Sequence, residues 1–229
     1  MNETRHQNPA KKINYNEEME KIVDECIKLN GETGKKKSLL LHACCGPCSS
    51  AVIERLSLVF DMTIFFYNPN IHPVAEHDRR LEELKKFLSV FPDSVKNGVK
   101  LVVASNYNPE EYFEATNVRN EIELQAEREK GERCRRCYAF RMKKAFEYAC
   151  ANGFDFFTTT LSISPHKDSE KINAIGIQLE SERAGECVTK FLPSDFKKKG
   201  GFLRSTELSE EYGLWRQDYC GCVFSMRKE

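Results

Sequence analysis

The chain has 229 residues, with 35 basic and 35 acidic side chains and a formal net charge of zero, which excludes a uniformly polycationic nucleic-acid coat but leaves room for a local basic patch. Its length suits one sizeable domain with elaborations, and its ten cysteines stay well below the roughly 8–10% that marks a disulfide-stapled secreted scaffold. No run approaches the roughly 20 apolar residues that span a bilayer, and the polar start MNETRHQNPAKKINYNEEMEK lacks the apolar stretch of a secretory signal, so the expected setting is soluble, cytoplasmic and reducing, without membrane partners or structural disulfides.

In chain order, residues 1–37 read as a polar extension with one amphipathic helix, about 16–30, and a GETGKKK connector. A single α/β metal-binding catalytic domain is expected over 38–229. Within it SLLLHA (38–43) reads as a buried strand, SSAVIERLS (49–57) as a helix, MTIFFYN (62–68) as a strand and VAEHDRRLEELKKFLSV (74–90) as a helix. KLVVAS (100–105) follows as a strand, then a long charged helical region over 109–150, and FDFFTTTL (154–161) as another strand. A helix at 168–184, a short strand VTKFLP and a turn-rich end containing DFKKKGG complete the pattern. Buried apolar runs alternating with amphipathic helices indicate a Rossmann-like three-layer α/β fold, a parallel sheet with helices on both faces. Ligands of such folds bind beyond the carboxyl ends of the strands, near helix N-termini. No NAD-binding glycine fingerprint is found.

Seven cysteines fall into three tight groups: C-C-G-P-C at Cys44, Cys45 and Cys48, C-R-R-C at Cys134 and Cys137, and C-G-C at Cys220 and Cys222. The isolated Cys26, Cys150 and Cys187 are expected to act as small apolar side chains. Three chemistries compete for the grouped thiols. Cys45-Gly46-Pro47-Cys48 between a strand and a helix suits a thiol–disulfide oxidoreductase, but it leaves the other thiols without a role. Two C-x-x-C pairs suit a zinc-stapled RNA-binding module, but the pairs are far apart and the C-G-C would be idle. Iron and sulfur use many soft thiolates. Seven thiols are one short of two closed four-ligand sites, which leaves one position for a substrate.

The motifs LHACCGPCS, YNPNIHPVAEHDRR, RCRRCYAFRM, TTTLSISPHKD and DFKKKGGFLRSTELSEEYGLWRQDYCGC, in that order, resemble the landmarks of the QueH-type epoxyqueuosine reductases. The resemblance covers about residues 38–225; His77 and Trp215 stand where tyrosine is common. It implies an oxidoreductase of tRNA queuosine biosynthesis that reduces the epoxide of epoxyqueuosine, at the anticodon wobble position, to the alkene of queuosine. It also implies a 4Fe-4S cluster with an adjacent mononuclear iron, no cobalamin, and an external electron donor. The grouped cysteines would be divided between cluster and iron, with Cys48 on the iron and Cys44, Cys45 and Cys48 closest to catalysis. The sheet is similar to that of ATP-pyrophosphatase-like (HUP) folds, although C-C-G-P-C-S has one glycine and no acidic residue where those that adenylate tRNA hold pyrophosphate and magnesium.

Other residues carry two readings each. Arg133, Arg135, Arg136, Arg141, Lys143 and Lys144 are a solvated helix face or contacts to tRNA phosphates. Lys197–Lys199 read the same way, with Lys198 favoured for binding by the resemblance. Tyr67, Asn68 and Asn70 form a turn or touch an unstacked nucleotide. Glu76 and Arg79 form a surface ion pair or act near the substrate. Thr159, Thr160 and Ser164 end a strand or line the pocket. His42 is expected in the core, while His72 and His166 are candidate proton donors.

Overall fold

The computed structural model describes residues 13–104 and 107–226. Residues 1–12 of the expected extension and Ser105 of the KLVVAS run lie outside the described residues. The expected first helix spans α1 (Tyr15–Thr33). Five parallel strands follow, β1 (Ser38–Ala43), β2 (Asp61–Phe66), β3 (Lys100–Val103), β4 (Phe156–Thr159) and β5 (Lys190–Phe191), in the sheet order β3-β2-β1-β4-β5. This is the expected Rossmann-like sheet. The winding reverses beside β1, where Leu39 and Leu41 pair with Met62 and Ile64 of β2 on one side and Phe156 and Thr158 of β4 on the other. A crevice opens at such a reversal, beyond the strand ends.

Alternation along β1 builds the three layers. Leu39, Leu41 and Ala43 enter a core with Met19 and Cys26 of α1, Val52 and Ile53 of α2 (Gly46–Leu56) and Leu84 and Phe87 of α3 (Val74–Val90). Leu40 points to the opposite core, with Met142 and Phe146 of α7 (Glu132–Ala151) and Ile172 of α8 (Ser169–Glu182). Both faces are covered, which is why β1 reads as an unbroken apolar run. A short α4 (Pro92–Lys96) precedes β3. No helix among the described residues is long and apolar enough to cross a membrane.

Three expectations are corrected. The long charged helix of 109–150 is broken into α5 (Pro109–Thr116), α6 (Glu123–Ala126) and α7. Asn117 stops α5 in the left-handed region at φ 54°, and the Glu127 carboxylate folds back to accept from the backbone N–H of Glu132 and Arg133, both at 2.7 Å, capping α7. The segment after DFKKKGG is helical, α9 (Gly201–Glu211). It starts at a close approach that only glycine fits, since a Cβ on Gly201 would lie 1.9 Å from the Phe196 carbonyl oxygen. Finally, Cys150 and Cys187 form a disulfide, with Cα atoms 5.5 Å apart. The fold brings the last turn of α7 against the segment entering β5, a proximity that sequence spacing does not reveal.

Candidate metal centre

The end of β1 delivers Cys44 and Cys45, and the first turn of α2 delivers Cys48. Their three Sγ atoms lie within 4.8 Å of one another. A single ion at a metal–sulfur distance of about 2.3 Å spaces tetrahedral thiolates by about 3.8 Å, so the triad has the dimensions of one metal site. Gly46 begins α2, and Pro47 fits the first turn, where no backbone N–H is missed. Cys44 is held well below the ordinary thiol range by hydrogen bonds from Cys45 and Cys48, which outweigh burial. Cys45 is pushed up to about 11 chiefly by its contact with Cys44, and Cys48 is raised by both neighbours. The three thiols thus share one favoured thiolate. Gln217 Nε2 donates to Cys45 Sγ at 3.1 Å.

The other four thiols gather across the crevice. Cys134 and Cys137, one turn apart on α7, line a buried space of about 20 Å³ with Cys220 and Cys222. A hydrogen bond from Cys222 holds Cys220 well below the usual thiol range, while burial pushes Cys137 up to about 11. Tyr112 of α5 has its hydroxyl 2.9 Å from Cys222 Sγ. The C-G-C loop needs its glycine: Gly221 has φ 99°, and its carbonyl accepts from His72 N–H at 2.8 Å. Arg80, 1% exposed, fixes the loop by donating to the carbonyls of Tyr219 and Cys220, both at 3.3 Å, while its Nε donates to Glu76 at 2.7 Å. Glu76 therefore pairs with Arg80 one turn on, rather than with Arg79.

Two cations stand between the thiol sets. Arg141 is buried, donates to Asn68 Oδ1 at 2.8 Å and lies 3.9 Å from Cys137 Sγ. Asn68 in turn donates to the Ala43 carbonyl at 2.9 Å. Half-buried Lys167 lines both the four-thiol space and a cavity of about 330 Å³ that is also bordered by Cys48, Ser164, His166, Gln217 and Cys220. Burial opposes the charge on Arg141 and Lys167, but the surrounding thiols raise both above their ordinary ranges. Among the described residues, Asn70 Oδ1, Arg133 Nε, Arg141 Nε and Gln217 Oε1 are buried without a hydrogen-bond partner, and all four side chains border a thiol cavity or touch a thiol. Unpaired buried groups are rare in folded proteins. Soft thiols ringed by cations, with the free N–H donors of Arg133 Nε and Arg141 Nε beside them, fit an anionic, sulfur-rich metal group; the orphaned oxygens of Asn70 and Gln217 are acceptors.

The remaining expected site residues divide. Asn70 borders the four-thiol space, and Ser164 and His166 border the larger cavity. Thr160 is buried with Oγ1 unpartnered. Thr159 Oγ1 lies 2.8 Å from His42 Nδ1, and burial pushes the His42 ring down to about 3, which makes it a neutral core histidine. Tyr67 turns its hydroxyl to Glu111 and packs against Phe65 and Phe140. Arg135 pairs with Glu132, and Arg136 pairs with Glu121 and Glu132. Arg133 caps the carbonyls of Leu124 and Gln125, Lys143 faces Glu147 at 3.9 Å, and Lys144 is exposed. Lys197 and Lys199 pair with Asp195 and Glu20, and exposed Lys198 borders grooves beside α1, away from the thiols. His72 sits among Tyr107, Tyr112 and Phe113, with Nδ1 2.9 Å from the Asn70 carbonyl. Sequence reasoning missed Arg80, Lys167, Gln217 and Glu129. The first three lie inside the quoted motifs, so position within a motif was the available signal.

A redox C-x-x-C pair uses two thiols, whereas Cys45 and Cys48 here form a triad with Cys44 and four more thiols line a space across the crevice. The family model for epoxyqueuosine reductase QueH matches residues 39–228. The chain belongs to the QueH family. It is 40% identical over 222 residues to epoxyqueuosine reductase QueH of Streptococcus pyogenes serotype M1, covering 97% of this chain and 82% of the relative. It is 35% identical over 218 residues to that of Staphylococcus epidermidis, covering 95% and 87%. The span matched to QueH runs from β1 past the C-G-C loop, so both thiol sets fall inside it.

Proposed function

We propose that this chain is an epoxyqueuosine reductase that acts on tRNA in the cytoplasm, converting the wobble-position epoxide to the alkene of queuosine with electrons from an external donor. Replacing an epoxide oxygen by a double bond consumes two electrons and two protons and releases water. The observation that carries the reading is the partition of seven thiols into four that line one buried space and three whose Sγ atoms lie within 4.8 Å of one another, at one crevice in a chain of the QueH family. In this reading Cys134, Cys137, Cys220 and Cys222 would hold a 4Fe-4S cluster, and Cys44, Cys45 and Cys48 would hold an iron that meets the substrate. Those groups, when bound, supply electrons singly and a Lewis-acidic position.

The chain's own residues do the rest. The cavity of about 330 Å³ lies at the lower end of the size range of small-molecule sites, which suits the epoxide-bearing side chain of one nucleoside. Lys167 Nζ and the His166 ring are the titratable nitrogens bordering it; Lys167, held cationic by the thiols, hydrogen-bonds the epoxide oxygen and supplies a proton as that oxygen leaves. Arg80 and Arg141 hold the C-G-C loop and Asn68 in place and offset the sulfur charge. Glu129, which borders both cavities, offers a carboxylate to the secondary ammonium of the substrate side chain.

The test is anaerobic purification with iron, sulfide and zinc analysis, followed by turnover of epoxyqueuosine-containing tRNA read as loss of one oxygen by mass spectrometry. Serine at any of the four-thiol positions should remove cluster iron and sulfide. Serine at Cys48 should leave sulfide while abolishing turnover. A colourless zinc protein, or full iron and activity after Cys134→Ser and Cys137→Ser, would overturn the reading.

A further inference from the structure

The only tryptophan of the chain, Trp215, directly precedes the residues that border the larger thiol cavity and stays 41% exposed. Arg79 lays its guanidinium over the indole ring at 3.7 Å from the centroid. Arg79 is exposed, and among the described residues no carboxylate pairs with it. The cation is stacked on the ring rather than paired in an ion bridge, unlike Arg136 with Glu121 or Arg204 with Glu54; Arg216 lies likewise over Phe202, at 5.5 Å.

The segment that carries Trp215 is tied to α3, the same helix that carries Arg79: the backbone N–H of Trp215 donates to Glu83 Oε2 at 3.0 Å. Its neighbour Leu214 packs beside Gly46, where an added Cβ would meet Leu214 Cδ1 at 3.6 Å. The next residues, Arg216, Gln217 and Asp218, border the cavity, and Gln217 touches Cys45. Two extended residues span at most about 7 Å, so the backbone of Trp215 lies within that distance of Gln217, whose side chain touches the thiol triad. On the α3 side, Arg79 directly precedes Arg80, which fixes the C-G-C loop.

We propose that Arg79 and Trp215 form a stacking platform for an unpaired anticodon-loop base next to the wobble nucleotide. The inference rests on the reading of the chain as a tRNA enzyme. Placing one loop nucleotide in the cavity requires its neighbours to be unstacked, and unstacked RNA bases are received on aromatic rings and arginine planes. The platform offers both surfaces and a positive charge for the flanking phosphate. It reads no sequence, since every base has a stacking face; it holds the loop while the cavity selects the modified nucleoside.

Because Trp215 is the sole tryptophan, its emission reports this spot alone. The full chain, purified anaerobically with its metals, is titrated with a synthetic unmodified anticodon stem–loop RNA labelled at its 3′ end, following RNA anisotropy and Trp215 emission together. Saturable quenching of Trp215 with the same midpoint as the anisotropy is expected, along with protection from acrylamide. Trp215→Ala should weaken binding about 5- to 100-fold, Trp215→Phe by only about threefold, and Arg79→Gln by an intermediate factor. RNA that binds wild type and all three variants equally, leaving Trp215 emission and acrylamide access unchanged, overturns the platform and leaves the enzyme reading intact. RNA that fails to bind wild type at all overturns both.

Discussion

Arg80→Met is the sharpest test of how the crevice is held together. The guanidinium is 1% exposed, and its partner Glu76 has a side chain 12% exposed. Removing the charge strands the Glu76 carboxylate in a poorly solvated place and leaves the carbonyls of Tyr219 and Cys220 without donors. Breaking a buried pair from one side costs about 3–5 kcal/mol; the two long carbonyl contacts add about 1 kcal/mol between them at most. With a melting shift of about 2–4 °C per kcal/mol for a chain of this size, the total of about 3–6 kcal/mol should lower the melting temperature of the variant by about 6–24 °C. The assay is thermal unfolding by circular dichroism on metal-free protein, since bound metal would add its own stabilisation. The double variant Glu76→Leu/Arg80→Met removes the stranded charge and should recover more than about 2 kcal/mol of the loss. A single variant within about 2 °C of wild type, or a double variant as unstable as the sum of its singles, would refute the account of Arg80 as the clamp of the C-G-C loop.

Other consequences are open to measurement. Gly131→Ala places a Cβ 2.1 Å from the Glu127 carboxylate carbon, so the carboxylate must leave the N-terminus of α7; chemical denaturation should show a loss of about 1–2 kcal/mol, and Glu127→Ala should match it. Asp155 accepts from Ser38 N–H, Ser38 Oγ and Lys37 Nζ, and these bonds hold its carboxyl below the usual range although burial opposes them. Its contribution, about 1–2 kcal/mol given partial exposure, is present above the unfolded carboxyl pKa of about 3.9 and disappears as pH falls through the lower folded value; the melting gap between wild type and Asp155→Asn should therefore close in acid, and a gap constant from neutral pH to pH 2 would contradict it. The Cys150–Cys187 disulfide spans 37 residues and should contribute about 3–4 kcal/mol, so Cys150→Ala should lower the melting temperature; alkylation of oxidised, denatured protein should leave two of the ten cysteines unlabelled, and labelling of all ten would refute the bond.

What could be read from the sequence was what local chemistry decides. β1 and α3 appear with the expected bounds, because an unbroken apolar run and a clear amphipathic period each admit one reading. The three cysteine groups were visible, and so was their destination beyond the strand ends. The break at 117–131 was hidden because a charged run looks the same whether its carboxylates face water or, like Glu127, turn back to cap the next helix. The α9 helix was masked by the Lys-Lys-Lys-Gly-Gly run, whose turn signals belong only to its start. The way the thiols sort, three against four, depends on α7 meeting the C-G-C loop across the crevice, and so does the meaning of Lys167, an ordinary surface lysine by sequence that stands between two sulfur groups. The cations beside Cys134 and Cys137, readable as a solvated face or as phosphate contacts, gave no sign of their partners: Arg135 and Arg136 pair with Glu132 and Glu121, carboxylates whose approach depends on the fold.

The two thiol sets also differ in when they can come into being. Cys44, Cys45 and Cys48 are nearly contiguous, so they can close around an ion in a chain that has not yet folded, at little loop-closure cost. Cys134 and Cys137 meet Cys220 and Cys222 only after β4, α8, β5 and α9 have taken their places. The four-thiol pocket is therefore a product of tertiary structure, whereas the triad is set by residues 44–48 at the end of one strand. The chain thus builds one thiol group locally and assembles the other only once its second half has folded.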